Sequence, residues 1–132
     1  MHKTLILYFK YAKYQYISTK RVLDFIFPKM ISVKVSYTVK PEFAAQNKQN
    51  INAFLTDFKQ LKQLKFLYNV YLQDDGLTFL HISMYENEEV QQTILSTPSF
   101  LAFQQQRDES GLSVSPSVER LSLFGSSLGV VS

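Results

Sequence analysis

The segment KFLYNVYLQDDGLTFLHISMYE, residues 65–86, decides the fold: two apolar runs flank Asp74-Asp75-Gly76, a turn signal, so it reads as a β-hairpin. Its second strand carries His81, one of only two histidines in the chain. Two registers compete. With Asp75-Gly76 as a two-residue loop, Val70 faces His81, Leu72 faces Phe79, and each face mixes apolar and polar residues. With Gln73–Gly76 as a type I turn and Gly76 as a left-handed bulge, Gln73 pairs with Leu77 and Asn69 faces His81. One face is then Phe66, Tyr68, Val70, Leu72, Leu80, Ile82 and Met84; the other holds Leu67, Asn69, Tyr71, Phe79, His81, Ser83 and Tyr85. A slip of one residue exchanges whole faces. The cleaner separation favours the bulged register and puts His81 on the side away from any covering helix.

Outward from the hairpin the pattern is equally regular. Ile31–Val39 alternates Ile31, Val33, Val35, Tyr37 and Val39 with Ser32, Lys34, Ser36 and Thr38, a half-buried strand. Pro41 and Glu42 suit a helix start, and Phe43, Ile51, Phe54, Leu55, Phe58 and Leu61 form a helical stripe that predicts a helix to about Leu64. After the hairpin, Asn87 caps a helix beginning Glu88-Glu89, and Thr97-Pro98 restarts it as Phe100, Phe103 and Arg107 share a face. Gly111 ends this piece. The segment 112–117 reads as a connector, and a last strand is expected over Val118–Phe124.

At 132 residues the chain suits one domain, and 45% hydrophobic against 19% charged residues describes a globular chain rather than a disordered one. Cysteine is absent, which excludes disulfides and thiolate metal sites and makes a reducing cytoplasm the simplest home. Charge divides sharply. Residues 1–29 hold six Lys or Arg against the single acid Asp24, leaving eight basic and ten acidic residues of the chain's 14 and 11 in 30–132. The domain proper is therefore mildly acidic, which argues against a nucleic-acid partner. The apolar run Leu5–Phe9 is far too short to span a bilayer. We read 1–29 as an extension outside the domain, 30–125 as the domain, and 126–132 as a tail.

The element order β-α-β-β-α-β is that of an α+β, ferredoxin-like sandwich: an antiparallel four-stranded sheet with helices on one face. The open face would carry Leu67, Tyr71, Phe79 and Tyr85, too apolar for a solvated surface, and predicts a homodimer formed sheet to sheet.

The strand Met30-Ile31-Ser32-Val33, the helix after Pro41, the Leu80-His81-Ile82 strand, the acidic Glu86-Asn87-Glu88-Glu89 and the helix Pro98–Phe103 together resemble the antibiotic-biosynthesis-monooxygenase-like proteins of the dimeric α+β-barrel superfamily. The resemblance implies a homodimer and, in the enzymes of that group, oxidation of small aromatic or quinol-type substrates without a cofactor. It also implies a pocket between sheet and helices built from Asn, Trp, Tyr or His. The chain has no Trp, which points away from haem degradation.

His81 is the candidate catalytic residue, a base whose ordinary pKa lies near working pH and that would deprotonate a phenolic substrate for reaction with O₂. Asn69, opposite it in the bulged register, would fix its tautomer. Tyr37 and Tyr68 offer hydroxyls to a substrate, and Phe100 and Phe103 offer aromatic walls. Each has a plainer reading: an interface histidine, core tyrosines bonded to backbone carbonyls, and core phenylalanines. Arg107 reads as a complement to the helix dipole. With four glycines and no phosphate loop, and with no His/Cys cluster, neither a nucleotide cofactor nor a metal is expected. Two functions follow: a cofactor-independent monooxygenase, or a non-catalytic dimeric module that binds a small hydrophobic ligand.

Overall fold

The computed structural model describes residues 30–127, so the basic extension and the end of the tail lie outside the described residues. Residues Ile31–Ser122 make one compact unit. Strand β1 (Ile31–Val39) leads through a 3₁₀ turn, Pro41–Phe43, into helix α1 (Ala44–Phe58). The hairpin β2 (Phe66–Leu72) and β3 (Thr78–Tyr85) follows, then helices α2 (Glu88–Leu95) and α3 (Pro98–Gln106), a π-helical turn over Arg107–Gly111, and β4 (Leu112–Leu121). The sheet is antiparallel with order β2-β3-β1-β4, the ferredoxin-like arrangement expected from the element order.

The hairpin register differs from the expected one. Val70 pairs with His81, Leu72 with Phe79 and Asn69 with Ile82, a slip of one residue that exchanges the faces. The turn itself forms as expected, with the Gly76 amide donating to the Gln73 carbonyl at 2.9 Å and Gly76 at φ 72°. The Asp75 side chain makes the difference. Its Oδ1 accepts from the amides of Leu77 and Thr78, both at 2.8 Å, and its Oδ2 accepts from the Thr78 hydroxyl at 2.6 Å. Leu77 is thereby drawn into the loop, and Gln73 pairs with Thr78 through an amide-to-carbonyl bond of 2.9 Å.

The consequence runs through the sheet. Along β3, Phe79, His81, Ser83 and Tyr85 are buried and the residues between them only half-buried. Phe79 and Tyr85 thus belong to the helix-covered core, with Tyr37, Val39, Phe54, Ile94, Phe100 and Phe103, and not to the open face. That face instead carries Leu67 and Tyr71, both exposed, beside half-buried Leu80, Ile82 and Met84. It remains apolar, with different residues.

Two boundaries also move. Helix α1 ends at Phe58, where the amides of Gln60 and Leu61 close 3₁₀-type bonds to Asp57 and Phe58 at 3.0 Å. Strand β4 runs from Leu112 to Leu121, so the whole of the expected connector is strand and Phe124 is not. Pro116 is tolerated because β4 is an edge strand, and the register shifts beside it between Ser36 and Thr38. Asn87 caps α2 as expected, accepting from the Val90 amide at 2.9 Å, whereas Thr97 makes no side-chain cap bond.

Candidate functional site

Directly opposed residues of an antiparallel sheet share a face, and diagonal neighbours lie within reach of aromatic side chains. Tyr37 on β1 pairs with Phe79, two residues before His81; Tyr68 on β2 pairs with Ser83, two residues after it. The register therefore sets His81 diagonally between two tyrosines, one on each neighbouring strand. The Tyr37 hydroxyl lies 2.8 Å from His81 Nε2, and the Tyr68 hydroxyl 2.8 Å from His81 Nδ1. Phe103 of α3 stacks on the imidazole with ring centres 5.4 Å apart.

A third polar side chain comes from α1. Asn47 is fully buried, and its Nδ2 donates to the Tyr37 hydroxyl at 3.1 Å. Its Oδ1 is a buried acceptor without a hydrogen-bond partner. Arg107, at the end of α3, lays its guanidinium 4.9 Å from the Tyr37 ring centre and 5.2 Å from that of Phe103, and its Nε bonds Asp108 at 2.9 Å. Such cation–π contacts are stronger when desolvated, and Arg107 is buried.

Burial governs the proton chemistry. Desolvation, helped by the Arg107 charge, pulls the His81 imidazole down to about 3, so it is neutral at physiological pH. Desolvation likewise pushes the Tyr37 phenol up to about 12, against smaller lowering by Asn47 and Arg107. Tyr68 is raised further for the same leading reason, with neighbouring Tyr85 adding to it. Both tyrosines hold their protons.

Beside this cluster a groove of about 220 Å³ opens between α1 and β2, lined by Leu55, Phe58, Lys59, Phe66 and Tyr68. An engineered cavity of about 150 Å³ accommodates benzene, whereas sites for drug-sized ligands run to several hundred. This groove suits one substituted aromatic ring. Tyr68 alone belongs to both the groove and the histidine cluster.

Of the residues singled out from sequence, Tyr37, Tyr68, His81, Phe100 and Phe103 come together on the helix side of the sheet. Tyr68 borders the groove; Tyr37 and Phe103 pack against the imidazole, and Phe100 packs on Tyr68 and Phe103. Asn69 is the correction. The slipped register points it to the opposite face, so it cannot hold the His81 tautomer, and the tyrosine hydroxyls occupy both ring nitrogens instead. Asn47 went unread, although its spacing in the series Phe43, Asn47, Ile51, Phe54, Phe58 puts a polar group inside the apolar stripe of α1. Arg107 shares the Phe100–Phe103 face as expected but covers the cluster with its guanidinium. Among the described residues no group of three His, Asp or Glu is placed to hold a metal ion.

No protein-family model matches the chain, and no curated protein matches it. Solved structures do. A Caulobacter crescentus protein named a "putative antibiotic biosynthesis monooxygenase" aligns with TM-score 0.63 and 17% identity, over 77% of this chain and 97% of its own. One from Nitrosomonas europaea, similarly named, aligns with TM-score 0.61 and 10% identity, over 73% and 91%. A Bacteroides thetaiotaomicron protein described as a possible oxidoreductase aligns with TM-score 0.59 and 14% identity, over 72% and 98%. The fold is that of the antibiotic-biosynthesis-monooxygenase-like proteins. At these identities the likeness is one of backbone.

Proposed function

We propose that the chain is a cofactor-independent monooxygenase-like protein acting on a small aromatic or quinol-type substrate held in the groove. The observation that carries this reading is Tyr68, which lines an aromatic groove while its hydroxyl lies 2.8 Å from His81 Nδ1. Phe58 and Phe66 stack or edge against a ring, and Lys59 lies among the lining residues with its positive charge. Loss of a proton from such a substrate to the solvent that the open groove admits leaves an electron-rich anion. Lys59 and a phenol that keeps its own proton both stabilise that charge. O₂ then takes both electron pairs from the substrate: one oxygen atom stays in the product and the other leaves as water. Tyr68 is the catalytic residue in this reading. His81 is a positioning residue, since it does not border the groove and its depressed basicity ill suits proton abstraction.

The test is oxygen uptake by the full chain with a panel of quinols and anthrones. Uptake is expected from the native chain and from a Lys48→Ala control, and its loss in Tyr68→Phe. No uptake with any substrate removes the enzymatic reading.

A second reading has its own support. His81 is 2% exposed in a filled aromatic core, as in a module that binds a small hydrophobic ligand without turnover. Ligand binding in the groove with no oxygen consumed would select it. Under either reading we propose a homodimer through the open sheet face, where Leu67 is 52% and Tyr71 55% exposed beside half-buried Leu80, Ile82 and Met84.

A further inference from the structure

The sheet has two edge strands, β2 and β4, and only one of them is guarded. An edge shows a row of unpaired amides and carbonyls, which natural sheets blunt with proline, bulges and charged side chains. Strand β4 has all three: Pro116, register shifts where it crosses Ser36 to Val39, and the charged pair Glu119-Arg120. Strand β2, Phe66–Leu72, has no proline, glycine or charged residue, and it pairs with β3 without a break in register. The groups on its free side follow from two bonds. The Glu86 amide donates to the Lys65 carbonyl at 3.1 Å, and the Gln73 amide to the Thr78 carbonyl at 2.9 Å. Lys65 and Gln73 are therefore hydrogen-bonded positions toward β3, and such positions alternate along an antiparallel strand. Leu67, Asn69 and Tyr71 bond β3 in the same way. The amides and carbonyls of Phe66, Tyr68, Val70 and Leu72 face outward, where β2 has no neighbouring strand among the described residues.

We propose that the β2 edge is a contact between two copies of the chain, which pair antiparallel about Asn69 and continue one sheet into the other. In this register Phe66 meets Leu72 of the second copy and Tyr68 meets Val70, all through outward-facing backbone. It is the register that pairs the whole of β2 with itself. On the open face Leu67 meets Tyr71, both exposed, and no like charges oppose one another. The ends are complementary in charge. Continued past the strand, the pairing sets Lys65 against Gln73 and Leu64 against Asp74, so the Asp74-Asp75 turn of each copy comes beside Lys62 and Lys65 of the other. These four residues are exposed and have no ion-pair partner among the described residues. That complementarity, met twice, favours a second copy over an arbitrary strand. Leu72 and Val70 of the second copy lie beside Phe66 and Tyr68, where they extend the apolar wall of the groove. Two seven-residue strands bury less than the roughly 1,000 Å² of a lasting interface, so association is reversible and sets in above the micromolar range. The contact is separate from the open sheet face: its two-fold axis stands perpendicular to the sheet, whereas that of a face-to-face pair lies between the sheets.

The chain has no cysteine, so a single introduced thiol reports the pairing. Asn69 would face its own counterpart at a non-hydrogen-bonded position, where Cα atoms lie about 4.5 Å apart and a disulfide can close. Gln73 pairs with Lys65 instead and would lie about 27 Å from its own counterpart. Sheets packed face to face are about 10 Å apart, beyond the reach of a disulfide, so the sheet-face dimer cannot supply the bond. Full-length Asn69→Cys and Gln73→Cys are oxidised at a few hundred micromolar, and the disulfide-linked dimer is followed on non-reducing gels. Asn69→Cys is expected to cross-link at least about tenfold faster than Gln73→Cys. The excess is expected to vanish when Leu72→Pro is added, because it removes an outward amide that the domain does not itself use. Should Leu72→Pro fail to fold, Asp74→Lys takes its place, setting like charges where the turn meets Lys62 and Lys65. Equal rates for the two cysteines overturn the self-pairing and leave the edge to a strand from another protein. An excess that survives the second substitution overturns it as well. Oxygen uptake is not read, so neither result bears on the enzymatic reading.

Discussion

Replacing His81 with Phe should remove a specific pH dependence of stability. The folded imidazole has its pKa held at about 3 against an ordinary 6.5. Between those values the unfolded chain binds a proton at this residue and the folded chain does not, so stability rises with pH across that window. The contribution is fully present above pH 6.5 and drains away as pH falls toward 3. At about 1.4 kcal/mol per pKa unit the whole effect is about 5 kcal/mol, and roughly 2 kcal/mol of it is lost by pH 5. Burial at 2% exposure means that solvent screening does not dilute the figure. His81→Phe fills similar volume but leaves Tyr37 and Tyr68 short of a partner, so the variant is less stable throughout; the diagnostic quantity is its slope. As pH is lowered from 7.5 to 5, urea midpoints should fall by about 1 M more for the native chain than for the variant. His2 and the carboxylates are common to both chains and cancel in the difference. Parallel curves would refute the argument, because they would mean that the buried imidazole either is protonated in the fold or is open to water.

Other outcomes follow from single contacts. Gly111→Ala builds a methyl against the Phe43 ring, 2.6 Å from Cε2 and closer still to Cδ2, and should cost about 1–3 kcal/mol in urea unfolding, partly restored by Phe43→Leu. Asn87→Ala loses the bond to the Val90 amide and should cost about 1 kcal/mol, read as a lower thermal midpoint. Tyr71→Asp puts a charge on the open sheet face, and native mass spectrometry at micromolar concentration should show the dimer giving way to monomer. A native chain already monomeric there would end the dimer proposal.

Much of the fold was legible because alternation and helical spacing are properties of the backbone period. Ile31–Val39 and the Asn87 cap needed no tertiary information. The hairpin register was not legible by the rule applied to it, that the core face should be the more apolar one. Here the core face holds Ser83, His81 and the Tyr37 and Tyr68 hydroxyls, and the last three bond one another and so escape much of the cost of burial. The open face keeps Leu80, Ile82 and Met84. The deciding interaction was local and polar, the Asp75 carboxylate closing on Leu77 and Thr78. The site followed from the same step. Tyr37 and Tyr68 were placed correctly by their strands, His81 arrived only with the slipped register, and Asn47 was hidden by the habit of reading a helical stripe for its apolar members. Arg107 lay on the right face, yet nothing in spacing announces that a guanidinium will cover a tyrosine ring.

Turnover under ¹⁸O₂ tests the central claim most directly. With a quinol or anthrone substrate and the full-length chain, mass spectrometry of the product should show one ¹⁸O atom incorporated, matched by one O₂ consumed per product and abolished in Tyr68→Phe. Product without label, oxygen recovered as hydrogen peroxide, or full incorporation by Tyr68→Phe would contradict the account.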